Sequence, residues 1–149
     1  MKILAIETSC DETSVTIVDA SGSRTKLKFH VLSHLVSSQM KLHAPFGGVV
    51  PNLAKREHER LLVPLVVKAL KEVGMWNLEY RKEISDSQFQ IQNPKFHILD
   101  SIFEHELELL TQFKKKIMPL PIPDIDAIAV THGPGLVPSL WVGVNFAQA

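Results

Sequence analysis

Aliphatic residues run from Ile3 to Ile6, and a polar block, Glu7-Thr8-Ser9-Cys10-Asp11-Glu12-Thr13, separates them from Val15, Ile17 and Val18. A short aliphatic run closed by turn residues predicts a buried strand over residues 2–7 and a second over 14–19. Asp19-Ala20-Ser21-Gly22 is a turn signal. Residues 25–36, rich in Val, Leu and Phe, predict a third strand reaching toward Ser38. The chain thus opens as a three-stranded meander, with the polar block at the first turn.

A glycine- and proline-containing loop, "KLHAPFGGVVP", leads to a long helical pattern over 52–72. Leu53, Ala54, His58, Leu61, Leu62, Leu65, Val66, Ala69 and Leu70 recur near the 3.6-residue period. Asn52 is the expected N-cap and Gly74 the expected stop. Pro64 predicts a kink, because it removes the bond to the Arg60 carbonyl. Val63 and Val67 widen the apolar arc beyond one stripe. This predicts a second covered face, with these two valines as a contact ridge for another lobe, an inserted arm or a partner subunit.

Residues 77–123 change character. They are polar, carry no strong strand pattern, and end in "MPLPIPD". Within them, residues 100–116 predict a helix with Ile102, Phe103, Leu107, Leu110 and Phe113 as its apolar stripe. Lys114-Lys115-Lys116 stands at its end, where cations suit the helix dipole. The tract reads as a helical insertion. A buried strand, 125–131, follows it. After "HGPGLVPSL" an apolar run from Trp141 predicts the start of a helix.

The 149 residues, 45% of them hydrophobic, suffice for one sizeable core. Sixteen Lys and Arg balance sixteen Asp and Glu. Zero net charge gives no global pull toward nucleic acid or an acidic membrane, so RNA binding requires a local patch or another chain. A single cysteine excludes an internal disulfide and fits a reducing compartment. No secretory signal pattern precedes the first strand. No apolar run approaches the roughly 18 residues of a membrane span.

Four features are candidates for chemistry. Ser9, Asp11 and Glu12 crowd the first turn. Such residues commonly cap backbone amides, but a ligand-facing turn uses the same groups, with a carboxylate as base. Strand-"THGPGL"-helix is the second. Gly133 and Gly135 permit close backbone approach, Pro134 stiffens the turn, and the helix N-terminus offers free amides to an anion. A glycine-proline-glycine triplet is also an ordinary strand-to-helix turn. Third, "HERLL" at 58–62 and "HELEL" at 105–109 begin like a zinc-protease helix. Leucine stands where the second histidine must be, so the metallopeptidase reading fails, and His58 reads as a hydrogen-bonded structural residue. Cys10 lacks a local activating histidine and reads as small and half-buried.

"MKILAIETSCDETSVTIVD", "KLHAPFGGVVPNLAKREHERLLVPLVVKAL" and "IDAIAVTHGPGL" occur in that order. Together they resemble the N-terminal lobe of the tRNA threonylcarbamoyladenosine transferase family, TsaD type, formerly labelled O-sialoglycoprotein endopeptidase. The resemblance covers residues 1–75 and 125–149. It implies an α/β, actin-like ATPase fold of the sugar-kinase and heat-shock-ATPase type, with this chain as one lobe. It implies transfer of a threonylcarbamoyl group from threonylcarbamoyl-adenylate to N6 of the adenosine next to the anticodon in tRNA. Asp11 and Glu12 are then the catalytic candidates. Ser9, His132, Gly133, Pro134, Gly135 and Leu136 are the substrate-binding candidates. The family's divalent metal, iron or zinc, is held by a histidine pair and an aspartate beyond residue 149. The expectation is therefore a cytoplasmic fragment without a metal of its own, inactive alone, with the second lobe absent. In bacteria the implied partners are a noncatalytic paralogue of TsaB type, contacted through helix 52–72, and an ATPase subunit of TsaE type. A noncatalytic assembly module is the alternative.

Overall fold

The computed structural model describes residues 1–23, 25–76, 95–120 and 122–149. Part of the tract expected as an insertion, 77–94, lies outside them. Four strands form one mixed sheet in the order β3-β2-β1-β4. β1 (Lys2–Glu7) pairs antiparallel with β2 (Glu12–Ser23) and parallel with β4 (Ala127–Val130), and β2 pairs antiparallel with β3 (Lys26–Ser38). In the central register Leu4 lies opposite Ile17 on one side and Ile128 on the other.

Alternation decides which face is covered. Thr13, Val15 and Ile17 are buried on β2, and Leu4 and Ile6 on β1. A register shift between Ile17 and Val18 moves the next buried position to Ala20, as an extra residue on one strand of a ladder does. The chain does not turn at Asp19–Gly22. Those residues remain in the ladder opposite His30 to Leu27, and the reversal lies beyond Ser23. Cross-strand pairing outweighs the turn propensity there, and Gly22 supplies the positive φ near the hairpin end.

A short helix, α1 (Met40–His43), and one 3₁₀ turn, Ala44–Phe46, lead to α2 (Pro51–Glu72). Val50, not Asn52, is the N-cap, with Pro51 in the first turn. The helix continues through Pro64 to Glu72. It crosses β2 and β3 and packs on α5 (Val137–Gln148). Ala54, His58, Leu62 and Val66 are buried four residues apart.

The second face of α2 is covered by the arm. The single helix expected over 100–116 is broken into α3 (Lys95–Ile102), α4 (Leu107–Gln112) and a π-helical turn, Phe113–Ile117. The break draws Glu106 inward, where its carboxylate meets Lys55 Nζ at 3.0 Å and Asn145 Nδ2 at 2.9 Å. It also lets Phe103 and Phe113 stack with centroids 5.5 Å apart, and Phe113 meet Phe146 edge-on at 5.4 Å. Val63 is fully buried in this cluster and Val67 packs against it. They form no exposed ridge for a partner subunit.

The last strand is shorter than the expected 125–131, and α5 begins at Val137 rather than Trp141. Thr8, fully buried, ties α5 to the sheet. Its hydroxyl donates to the Ser139 carbonyl at 2.9 Å and accepts from Gly143 N–H at 3.2 Å.

Candidate functional site

The polar turn between β1 and β2 and the loop after β4 meet at the carboxyl ends of two parallel strands. In open α/β sheets that is where ligands bind. Three successive carbonyls of the turn are each held by a different element. Leu136 N–H donates to Ser9 O at 2.7 Å, His58 Nε2 lies 3.1 Å from Cys10 O, and Gln39 N–H donates to Asp11 O at 2.7 Å. Loop, helix and strand end therefore clamp the turn together. Among the described residues, the N–H groups of Cys10, Asp11, Gly133 and Gly135 have no acceptor. Adjacent free amides of this kind suit an anionic or carbonyl oxygen.

The site candidates Ser9, Asp11 and Glu12 sit on this turn, Ser9 and Asp11 half-buried and Glu12 exposed. The candidates His132, Gly133, Pro134, Gly135 and Leu136 form the facing loop. Gly135 lies against Ser9, and the Gly133–Pro134 peptide is cis. His132 is exposed beside a small hollow of about 150 Å³ shared with Val137, Leu140, Trp141 and Val144. The expected amide cluster at the N-terminus of α5 is largely spent. Pro138 has no N–H, and those of Ser139 and Leu140 both go to the Leu136 carbonyl. The free donors lie in the loops instead.

Glu7 anchors the turn from below. Its carboxylate accepts from Ser9 N–H and from the Thr131 hydroxyl, so it joins the two loops. Burial alone would raise its pKa, but the hydrogen bonds from Ser9 and Thr131 together hold it below the usual carboxylate value. Cys10 is exposed rather than half-buried. What burial it has, followed by the Asp11 charge, pushes its thiol upward, the wrong direction for a nucleophile.

Sequence reasoning assigned no role to Glu7, Thr8, Thr13, Gln39 and Thr131. Thr13 could have been found, because it continues the buried alternation of Val15 and Ile17. The peptidase motifs find no support in their surroundings. Leu62 and Leu109 are fully buried core residues where a second histidine would stand. Among the described residues no three His, Cys, Asp or Glu side chains converge as a metal site.

The family model for TsaD, tRNA N6-adenosine threonylcarbamoyltransferase, matches residues 30–79 and 104–149. A tRNA N6-adenosine threonylcarbamoyltransferase of Persephonella marina (strain DSM 14350 / EX-H1) is 34% identical over 148 residues. The matched region is 99% of this chain and 28% of that relative, so the chain spans little more than a quarter of the relative's length. With matches over both the glycine-loop helix and the strand-loop-helix that closes on the turn, this chain belongs to the tRNA N6-adenosine threonylcarbamoyltransferase family.

Proposed function

We propose that this chain is the N-terminal lobe of an actin-like transferase that moves a threonylcarbamoyl group from threonylcarbamoyl-adenylate to N6 of the adenosine beside the tRNA anticodon. The observation that carries the reading is the clamped turn, which bears free amides and two carboxylates and packs against the Gly133–Leu136 loop. The N6 amine attacks the carbamoyl carbon, the bond from that carbon to the phosphate oxygen breaks, and AMP leaves. A carboxylate, Asp11 or Glu12, accepts the amine's proton. Ser9, His132, Gly133, Pro134, Gly135 and Leu136 position the acyl-adenylate, with free loop amides taking its developing negative charge.

In this reading the second lobe and the ligands of a divalent metal lie elsewhere in the protein, and no step here is drawn through a metal. The family model leaves residues 80–103 unmatched but covers 104–149, so the inserted tract of this reading is confined to 80–103. No described helix is long and apolar enough to cross a membrane, in keeping with a cytoplasmic enzyme acting on tRNA. Subunits of TsaB and TsaE type are the proposed partners, and Val63 is not part of their contact.

The test supplies the rest of the transferase and measures tRNA modification by Asp11→Asn and Glu12→Gln. A loss of about 10²–10⁴-fold in one variant, with melting unchanged, is expected for acid–base work. Full activity in both would overturn the assignment.

A further inference from the structure

The Cys10 carbonyl is held by the end of a buried hydrogen-bond chain whose donor directions can be worked out one by one. The Val50 backbone N–H can only donate, and it meets His43 Nδ1 at 3.3 Å. His43 Nδ1 is therefore unprotonated, and its Nε2–H donates to Gln39 Oε1 at 3.0 Å. That places the Gln39 NH₂ toward the Ala54 carbonyl, 3.4 Å away, which accepts only, and over the His58 ring, 3.2 Å from Nδ1 and 3.4 Å from Nε2. The reverse amide orientation would set two donors against each other at His43 and two acceptors at Ala54.

The far end gives the same answer independently. Cys10 O can only accept, so His58 Nε2 at 3.1 Å must carry the proton. His58 Nδ1 then accepts, and the Thr13 hydroxyl donates to it at 2.8 Å. A second proton on His58 would charge a ring that is fully buried. Thr13 and His58 are fully buried, and Gln39 and His43 nearly so. A ring nitrogen without a proton would face the Cys10 carbonyl acceptor to acceptor, so the neutral ring keeps its proton on Nε2.

We propose that His58 is a positioning residue: as the Nε2–H tautomer, with Thr13 at its Nδ1 and Gln39 over its ring, it draws the Cys10 carbonyl inward and leaves the adjoining N–H groups of the acidic turn free for substrate. Gln39 contributes twice, through its amide side chain to His58 and through its backbone N–H to the Asp11 carbonyl. The glycine loop, through Val50, and the acidic turn are thereby ends of one directed chain. The substrate role rests on the transferase reading; the tautomer and the turn geometry do not.

The test uses the 149-residue chain. Long-range ¹H–¹⁵N correlation at neutral pH should show both His58 and His43 protonated at Nε2 only. A doubly protonated ring, or His58 protonated at Nδ1, overturns the proposal. His58→Gln keeps an N–H donor able to reach Cys10 O, and the backbone amide resonances of residues 9–12 should stay near their wild-type positions. In His58→Leu they should shift or broaden. Unchanged resonances in a folded His58→Leu would overturn the proposal, and if that variant fails to fold, the tautomers and His58→Gln decide it. In the reconstituted transferase, kcat of His58→Gln should exceed that of a folded His58→Leu at least tenfold, and equal rates would overturn the proposal. Turn resonances that respond as stated while modification is absent in wild type would sink the transferase reading alone.

Discussion

Gly135 packs against the backbone of Ser9 so closely that a β-carbon built on it would lie 2.6 Å from the Ser9 carbonyl oxygen and 2.7 Å from the Ser9 β-carbon. Next to it, Leu136 N–H donates to that same carbonyl. Two loops more than a hundred residues apart in sequence thus meet through backbone alone, and the contact has no room for a methyl group.

Gly135→Ala must therefore push the loop off the turn. Neither neighbour is the end of a flexible side chain, so relief requires a backbone shift and strains the Leu136–Ser9 bond. The expected loss is about 1–3 kcal/mol, the usual cost of overpacking, read as a lower urea midpoint at unchanged m-value. Gly133 has nothing within 4 Å of its would-be β-carbon, so Gly133→Ala is the control and should cost less. Equal midpoints for the two variants would show that the loop yields freely.

Thr8→Val tests the tie between the sheet and α5. The change keeps the shape and removes a hydroxyl that serves two buried backbone groups, the Ser139 carbonyl and the Gly143 N–H. The two groups are also i, i+4 partners within α5, so losing the hydroxyl's two bonds should cost about 0.5–1.5 kcal/mol. Thr8→Ser keeps the hydroxyl and should lose less. Thermal melting of both variants settles the order, and a Thr8→Val protein as stable as wild type would show that another donor or water replaces the hydroxyl.

The core and the clamp differ in how far they could be read from sequence. Aliphatic runs and the four-residue spacing of Ala54, His58, Leu62 and Val66 are local signals, and they place β1, β2 and α2. The resemblance located the loop facing Ser9. The clamp was hidden because its donors, Gln39, His58 and Leu136, come from three distant segments, and two of its bonds use backbone N–H groups that any residue supplies. The arm misled for a related reason. Residues 100–116 have a helical apolar stripe, but the buried contacts of Glu106 with Lys55 and Asn145 interrupt it. No period in the sequence encodes that cost.

Val63 shows what tertiary context adds. Its place off the main stripe of α2 left another lobe, the arm or a partner subunit as its cover, and it is fully buried in the cluster that includes Phe103, Leu109 and Phe113 of the arm. Val63→Asp would bury a carboxylate without a partner, at roughly 3–5 kcal/mol, a large share of the whole stability of a domain this size. The expected result is loss of the cooperative melting transition by circular dichroism, before any question of association arises. A folded Val63→Asp protein would mean that the arm detaches from α2 at little cost.

The last prediction concerns acid. Burial, the largest influence, pushes the His58 imidazole below its ordinary value, although its bond to the Cys10 carbonyl and the charges of Glu7 and Glu57 oppose this. In the unfolded chain the ring takes a proton near pH 6.5. Below that pH the unfolded state binds a proton that the native state refuses, so stability falls as pH drops. The slope from this one group is at most about 1.4 kcal/mol per pH unit. Glu7 acts later. Its native carboxyl titrates below its unfolded value, so its contribution is present above the ordinary glutamate range and is lost as pH falls through the native value. Glu59 runs the other way, because burial raises its pKa and protonation relieves the penalty. The three separate by substitution. His58→Gln should flatten the fall between about pH 6.5 and 5, near the ordinary histidine value, and leave the more acidic part intact. Glu7→Gln should do the reverse. The measurement is the urea midpoint across this range for wild type and both variants. A wild-type curve that parallels His58→Gln above pH 5 would mean that native His58 takes its proton as readily as the unfolded chain.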